Sequence, residues 1–149
     1  MNEHSLNGAV ESALKENRTA IETIFSRIHA PPEFSGLAKG FDTLVRKSGG
    51  EAPLSEISTG QRAAFALSIF LAQNSQLLSA PPVMLIDDPI AHVDDLNALS
   101  FLDYLRDVAL DDKRQIFFAT ANEKIATLFE RKFDFLGKKF QKIALSRAE

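Results

Sequence analysis

Hydrophobic residues in the first part of the chain follow a helical period. Between residues 2 and 29 they recur at spacings of three, four and seven positions, which predicts one amphipathic helix. Pro31 and Pro32 end this helix, and His29 just before them is interpreted as a helix-end residue. The helix is either the end of a longer coiled coil or a surface helix packed on the core, because too few clean heptads are present to decide. Its apolar face is formed by Leu6, Val10, Leu14, Ile21, Ile24, Phe25 and Ile28.

The pattern changes twice in the middle of the chain. Gly36 and Gly40 interrupt the apolar positions of residues 34–45, which favours short β segments, and residues 48–50 (SGG) predict a turn. Ser58 and Gln61 then match a capping box, in which two side chains satisfy free N–H groups at a helix start. The following residues are apolar almost all round the helix, so we expect it to be buried and to end near residues 74–79.

Two apolar runs in the last half of the chain predict strands. Residues 83–86 (VMLI) are read as a strand buried on both faces, and residues 115–119 (QIFFA) as a second buried strand. Between them a helix begins at Asp94 or Asp95 and reaches about Leu110. The predicted stripe on that helix comprises Leu96, Leu99, Leu102, Leu105, Val108 and Ala109.

The C-terminal residues predict one more helix and one more strand. Thr120 and Glu123 match a second capping box, which opens a helix to about residue 132. Gly137 marks a turn, and residues 139–145 alternate as an edge strand would. Strand, helix, strand and helix at this spacing predict βαβ connectivity and a parallel sheet, and therefore an α/β fold.

Composition excludes several classes of protein. The 149 residues include 17 basic and 20 acidic residues, and a net charge of −3 does not suggest a nucleic-acid binder. The absence of cysteine excludes disulfides and zinc–thiolate sites. No apolar run is long enough to span a bilayer and the start is polar, so a cytoplasmic location without membrane contact is expected. One local basic group is read as a solvated face in preference to a DNA contact: Arg131, Lys132, Lys138, Lys139, Lys142 and Arg147.

Residues 54–62 (LSEISTGQR) have the features of an anion site. A capped helix start carries unpaired N–H groups and a partial positive charge, and Gly60 would allow a phosphate to approach closely. Ser58 and Gln61 could add side-chain donors. The alternative is an ordinary helix cap with a glycine in the first turn.

Acidic residues follow the first of the two predicted strands. Asp87 could hold Mg²⁺ and Asp88 could polarise an attacking water, with Asp94 and Asp95 a few positions further on. Carboxylates also follow strands simply because strands end at solvent. This pattern alone does not separate a nucleotide hydrolase from a metal-dependent nuclease.

Four segments in this order resemble the C-terminal lobe of an ABC-type ATPase head: LSEISTGQR, VMLIDDP, AHVDD and QIFFATAN. Within that superfamily the sequence is most similar to the SMC-like group, which includes double-strand-break repair ATPases of the SbcC type. The resemblance implies half of a P-loop NTPase head, with a short parallel sheet flanked by helices. Residues 1–30 would be the foot of a coiled coil and residues 31–149 the C-terminal lobe.

The resemblance implies a role for each matching residue. Residues 57–61 (ISTGQ) stand where the family has its signature motif, which contacts the γ-phosphate of ATP on the opposing head. Asp87 matches the Walker B aspartate that holds Mg²⁺, and Asp88 occupies the place of the catalytic glutamate. Asp94 matches the D-loop aspartate, in the segment Ala91-His92-Val93-Asp94. The nucleotide-binding residues implied in this way are Ser58, Thr59, Gly60, Gln61, Asp94 and Asn122.

Three departures from the family pattern shape these expectations. Asp88 is one methylene shorter than glutamate, which predicts slow hydrolysis. Ala121 replaces the switch histidine, and Asn122 after it could offer phosphate a hydrogen bond but no charge. The Gly-x-x-x-x-Gly-Lys-Ser/Thr phosphate loop occurs nowhere in the chain, so tight ATP binding would need the N-terminal, Walker A lobe of the same or another chain.

The expected function is therefore ATP-driven head dimerisation and hydrolysis in DNA repair, maintenance or defence. ATP and Mg²⁺ would be the ligands, and ATPase activity is expected only with a Walker A lobe present. The expected partners are that lobe, a second head in a homodimer and DNA in the full assembly. A nuclease is a further candidate partner. One alternative is a metal-dependent nuclease or phosphohydrolase using Asp87, Asp88 and Asp94. Another is an ATP-dependent interaction module that does not hydrolyse, motivated by Asp88 and Ala121.

Overall fold

The computed structural model of the protein describes residues 3–39, 41–77, 79, 81–89, 94–111 and 114–145, with the side chains of residues 3–11 left undescribed. The helices are α1 (Glu3–Ile28), α2 (Thr59–Gln76), α3 (Asp95–Leu110) and α4 (Glu123–Phe133), and a 3₁₀ segment follows at Asp134–Lys139. The strands are β1 (Phe34–Leu37), β2 (Thr43–Arg46), β3 (Glu51–Pro53), β4 (Val83–Asp87) and β5 (Gln115–Ala119). None of the described helices has the length and hydrophobicity needed to cross a bilayer.

Helix α1 confirms the first predicted element, and its C-terminal half packs into the core. Ile21, Ile24, Phe25 and Ile28 are buried there, against α2 and α3. Because apolar burial is the main favourable term in folding, this half of α1 helps to stabilise the whole unit.

Polar contacts fix α1 against the first strand. Glu22 accepts a hydrogen bond from the backbone of Leu37 at 2.9 Å, and Arg18 donates to the carbonyls of Leu37 and Ala38. A Cβ added at Gly36 would lie 3.0 Å from the Glu22 carboxylate, so glycine permits this close approach.

The segment predicted to contain short β strands forms an antiparallel meander. Strand β2 pairs with β1 on one side and β3 on the other, with Leu44 opposite Ala52. Gly49 and Gly50 both have φ of +91°, a conformation that glycine adopts without strain, and they make the predicted turn between β2 and β3. Strand β3 was missed because three residues carry too little pattern to recognise.

Strands β4 and β5 pair in parallel through the crossover helix α3, which confirms the predicted βαβ unit. Their predicted burial on both faces is wrong. Met84 and Ile86 face the core, whereas Leu85 is 70% exposed and Phe117 is 50% exposed. The reason is that α3 and α4 leave the other face of this two-stranded sheet uncovered in the described part of the chain.

The predicted burial of two helices is also partly wrong. Helix α2 buries one face and leaves Phe70 36% exposed. On α3 the predicted stripe is rotated, because Leu96 and Leu99 are exposed. Local spacing gives the period of a helix but not which of several apolar faces meets the core. The buried residues of the two helices are Ala64, Phe65, Ser68, Leu71 and Ala72 on α2, and Asn97, Ala98, Phe101, Leu102 and Leu105 on α3.

Two predictions near the C-terminus are corrected. Asn122 caps α4 in place of the predicted Thr120–Glu123 box, because its carboxamide oxygen accepts hydrogen bonds from the N–H groups of Lys124 and Ile125. Residues 139–145 form no strand, since the 3₁₀ segment runs into them and the rest pairs with no described strand. Gly137 does make a bend there, with φ of +54°.

Candidate functional site

The start of α2 has the capping box that the sequence predicts. The Ser58 N–H donates to Gln61 Oε1 at 2.9 Å, and the Gln61 N–H donates to Ser58 Oγ at 3.1 Å. An α-helix leaves its first four N–H groups without partners inside the helix. Since the box satisfies two of them, the N–H groups of Thr59 and Gly60 remain available to an external acceptor.

Glu33 holds the Gln61 side chain in place. Gln61 Nε2 donates to Glu33 Oε2 at 3.0 Å, and the other Glu33 oxygen forms an ion pair with Arg46 on β2. The Arg46 guanidinium also lies over the Phe34 ring at 5.4 Å from its centroid. Gln61 keeps a second N–H, and Ser58 keeps its hydroxyl proton, so both side chains could still donate to a phosphate. No pattern in the sequence indicated this role of Glu33.

Asp87 and Asp88 lie where β4 ends. Asp87 is exposed and pairs in register with Ala119 of β5. The Asp88 N–H donates to the carbonyl of Ala119 at 2.8 Å, and Asp88 itself has φ of +41°. Such a left-handed conformation is uncommon for a residue other than glycine, and strained backbone of this kind concentrates at functional sites.

Thr120 joins the end of β5 to Asp88. Its Oγ1 donates to Asp88 Oδ1 at 3.0 Å and accepts from the Asn122 N–H at 3.1 Å. Asn122 therefore lies one hydrogen bond from Thr120 and two from Asp88. The sequence pattern indicated Thr120 only as a helix cap, because its position opposite Asp88 depends on the register of β4 and β5, which local patterns do not give.

Asp94 has a structural task at the start of α3. Its Oδ1 accepts from the Asn97 N–H at 3.0 Å and its Oδ2 from Asn97 Nδ2 at 2.6 Å. Asn97 is buried, and its Oδ1 accepts from the Ala30 N–H at 2.5 Å. The rest of the D-loop match, residues 91–93 with His92, lies outside the described residues.

The carboxylates do not gather into a metal centre made by protein groups alone. Among the described residues, which include Asp87, Asp88, Asp94 and Asp95, no three carboxylate or imidazole groups lie close enough to share an ion. An exposed Asp87 does suit Mg²⁺, which is commonly held by one or two carboxylates together with water and substrate phosphates.

Two lysines of the basic group are paired with acidic residues of this chain. Lys132 forms an ion pair with Asp103, and Lys142 Nζ lies 2.7 Å from Glu130 Oε2. This supports the reading of a solvated face, since paired charges attract a phosphate backbone less strongly. Arg147 lies outside the described residues.

The two motifs belong to separate networks. The hydrogen bonds of the α2 start lead to Glu33, and those of Asp88 lead to β5. Within the described chain, no hydrogen bond or ion pair joins residues 58–61 to Asp87, Asp88 or Asp94. The α2 start and the end of β4 are therefore positioned by different parts of the fold.

Scanned against protein-family models, the sequence matches none, and it matches no curated protein. Solved structures do share its fold. A chain from structural work on ATP-driven dimerisation and DNA-stimulated activation of SMC ATPases aligns with a TM-score of 0.62 and 17% identity, covering 80% of this chain and 75% of that one. The SMC head domain from Thermotoga maritima aligns at 0.58 and 20% identity, covering 80% of this chain and 42% of that one.

A third similar structure is the Smc head domain from Pyrococcus furiosus, with an extended coiled coil and bound to the C-terminal domain of ScpA. It aligns at a TM-score of 0.56 and 18% identity, covering 76% of this chain and 30% of that one. The chain has the fold of an SMC-like ATPase head fragment, which confirms the predicted resemblance and fold class at the level of fold. It spans less than half the length of the T. maritima and P. furiosus chains.

Proposed function

We propose that this chain supplies half of an SMC-like ATPase head, and that ATP joins it to a second head. The observation that carries this proposal is the start of α2, where the capping box leaves the N–H groups of Thr59 and Gly60 free beside two further side-chain donors. A γ-phosphate bound by the opposing head would accept from these groups and would be attracted by the helix dipole.

The end of β4 would serve a second nucleotide, bound by this head. Mg²⁺, when bound with ATP, would neutralise charge on the phosphates, and Asp87 is the residue that would hold it. Asp88 would orient and polarise the attacking water. The separation of the two networks supports a composite arrangement, in which each chain offers its signature helix to its partner's nucleotide.

The Walker A lobe must come from elsewhere, because the sequence contains no phosphate-binding loop. Two observations support a lobe from the same or another chain. One face of the β4–β5 sheet is uncovered in the described part of the chain. The T. maritima and P. furiosus heads also continue well beyond the region that aligns with this chain. A homodimer of heads, association with DNA and a nuclease partner remain predictions.

Thr59 allows a test that separates the structure of the α2 start from phosphate binding. Its side chain is exposed, and a Glu at this first helical position stabilises a helix through the dipole. In a head reconstituted from this chain and a Walker A lobe, we expect Thr59→Glu to lower ATP-dependent dimerisation at least tenfold, because its carboxylate repels the γ-phosphate. Light scattering with a non-hydrolysable ATP analogue and Mg²⁺ measures this.

The matched control is Thr59→Gln, which has nearly the same size without the charge and should dimerise within about threefold of the wild type. The Tm of the free chain should be unchanged or slightly higher for Thr59→Glu than for the wild type. Equal dimerisation of the Glu and Gln variants would contradict the proposal. So would strong Mg-ATP turnover by this chain alone that survives Gln61→Ala and Asp87→Ala.

A head that binds ATP without hydrolysing it is the second candidate, and Ala121 in the place of the switch histidine favours it. Comparing the reconstituted head with its Asp88→Glu variant decides between the two. Slow turnover that rises in Asp88→Glu supports an enzyme limited by the reach of its carboxylate. ATP-driven dimerisation with no turnover in either protein supports a head that binds ATP without hydrolysing it.

A further inference from the structure

We propose that Thr120 is a positioning residue for hydrolysis, which holds Asp88 in the pose that receives the attacking water. This inference rests on the proposed function and adds a residue to it. Its basis is the hydrogen-bond chain from the Asn122 N–H to Thr120 Oγ1 at 3.1 Å and from Thr120 Oγ1 to Asp88 Oδ1 at 3.0 Å.

The chemistry of the three groups fixes the direction of this chain. A backbone N–H only donates, and a carboxylate only accepts. The Thr120 hydroxyl therefore accepts from Asn122 and has its single proton left for Asp88. This makes the hydroxyl a charge-assisted donor, and such bonds are roughly twice as strong as bonds between neutral groups.

The backbone brings the two side chains together. In the parallel ladder Asp87 pairs with Ala119 at the ends of the two strands, so Asp88 and Thr120 are the first residues after β4 and β5. The bond from the Asp88 N–H to the Ala119 carbonyl extends the ladder while Asp88 takes its left-handed φ of +41°. Asp88 is thus held by its backbone on one side and by Thr120 on the other.

Only one carboxylate oxygen is used in this arrangement. Asp88 Oδ1 accepts from Thr120, whereas Oδ2 has no partner among the described residues. A short aspartate that must reach a water gains most from a fixed side chain, because a small error in position reduces the rate steeply. Thr120 would supply that constraint from the segment after β5, where Ala121 offers no polar side chain.

In the reaction, the water oxygen forms a bond to the γ-phosphorus, and the bond from that phosphorus to the β–γ bridging oxygen breaks. ADP leaves with the bonding electrons, and the water proton passes to Asp88 Oδ2, from which it is released to the phosphate product or solvent. The Thr120 proton stays on its oxygen throughout. Thr120 therefore affects turnover only through the orientation of Asp88.

The test uses Thr120→Val and Thr120→Ser in the reconstituted head. Valine keeps the shape and removes the hydroxyl, and serine restores the hydroxyl. We expect Thr120→Val to lower kcat by about 10- to 100-fold while KM for ATP and ATP-driven dimerisation stay within twofold. Thr120→Ser should return kcat to within about threefold of the wild type.

Thr43→Val is the matched control, because the Thr43 hydroxyl also donates to an aspartate, Asp42 Oδ1 at 3.2 Å, but in the β1–β2–β3 sheet. It should leave kcat unchanged. Thermal unfolding of each variant identifies any loss of folding, and Thr120→Ala replaces the valine variant should that one unfold.

Four results would overturn the role of Thr120: wild-type kcat in Thr120→Val, no recovery in Thr120→Ser, a parallel loss of kcat and thermal stability, or no hydrolysis in the wild-type head. In each case the proposed function would still be supported if the wild-type head dimerises only with ATP and the Thr59→Glu head does not. A wild-type head that does not dimerise with ATP would refute the proposed function, and the role of Thr120 with it.

Discussion

At the scale of single residues, His29 directly follows the last residue of α1, as the sequence predicts, and is in addition buried in the core. It is 5% exposed, its ring stacks on Phe25 at 5.2 Å between centroids, and the Phe34 ring lies at 5.5 Å. Neither ring nitrogen has a hydrogen bond of normal geometry within the described residues. Burial lowers the pKa of His29 below its ordinary 6.5, although the Asp94 carboxylate and the Asn97 side chain oppose that shift.

The lowered pKa of His29 predicts a loss of stability in acid. The unfolded chain binds a proton at His29 near pH 6.5, whereas the folded chain binds it only at lower pH, so protonation favours unfolding. The contribution of His29 is complete above pH 6.5 and decreases as the pH falls from 6.5 towards the folded pKa. The slope for one such group is at most about 1.4 kcal/mol per pH unit.

His29→Phe removes this titration and keeps a ring to stack on Phe25 and Phe34. Urea unfolding between pH 7.5 and pH 5 should show a shallower pH dependence for His29→Phe than for the wild type. The difference between the two curves isolates His29 from the other titrating groups. Parallel curves would show that His29 titrates equally in the folded and unfolded chains.

At the scale of elements, Asn97 connects the end of α1 to the start of α3. It accepts from the Ala30 N–H and donates to Asp94 with both its backbone and its side chain. We expect Asn97→Ala to lower the free energy of unfolding by about 2 kcal/mol, since the partly buried Ala30 N–H would lose its acceptor. For a chain of this length that corresponds to a decrease in Tm of roughly 4–8 °C.

The control for Asn97→Ala is Asn74→Ala, the same change at an asparagine whose Oδ1 is buried without a hydrogen-bond partner. Removing this unsatisfied oxygen breaks no hydrogen bond at that atom and relieves its desolvation penalty, so the free energy of unfolding should not fall. Calorimetry of both variants makes the comparison. Equal effects would mean that the contacts of Asn97 do not stabilise the junction of α1 and α3.

The elements also show which features a sequence can specify. The Ser58–Gln61 box was predictable because its two residues are only three positions apart. The βαβ unit was predictable because the spacing of apolar residues changes at clear boundaries between strand and helix. Strand burial was not predictable, since Leu85 is exposed only because nothing in the described chain covers that face of the sheet. The contact of Thr120 with Asp88 joins residues 32 positions apart and follows from strand register, which local patterns do not give.

At the scale of the whole molecule, the β4–β5 sheet is the least complete part of the fold. Its two strands pair only with each other among the described elements, and one face presents Leu85 and Phe117 directly opposite each other in the ladder. Exposed apolar pairs on an uncovered sheet are typical of surfaces that bind another chain or segment. Under the proposed function this face and the free edge of β4 receive the Walker A lobe.

The double variant Leu85→Thr/Phe117→Thr tests that surface. Both residues are already half exposed or more, so the free energy of unfolding of the free chain should stay within about 1 kcal/mol of the wild-type value. Binding of the Walker A lobe would bury both side chains, and their loss should weaken it by about 3 kcal/mol, or roughly 100-fold in Kd. Calorimetric titration of the lobe measures this, with Leu145→Thr as control, because Leu145 is 92% exposed and lies outside the sheet. An unchanged Kd in the double variant would show that the lobe does not bind this face. Weaker binding to Leu145→Thr would show that the lobe contacts the C-terminal segment.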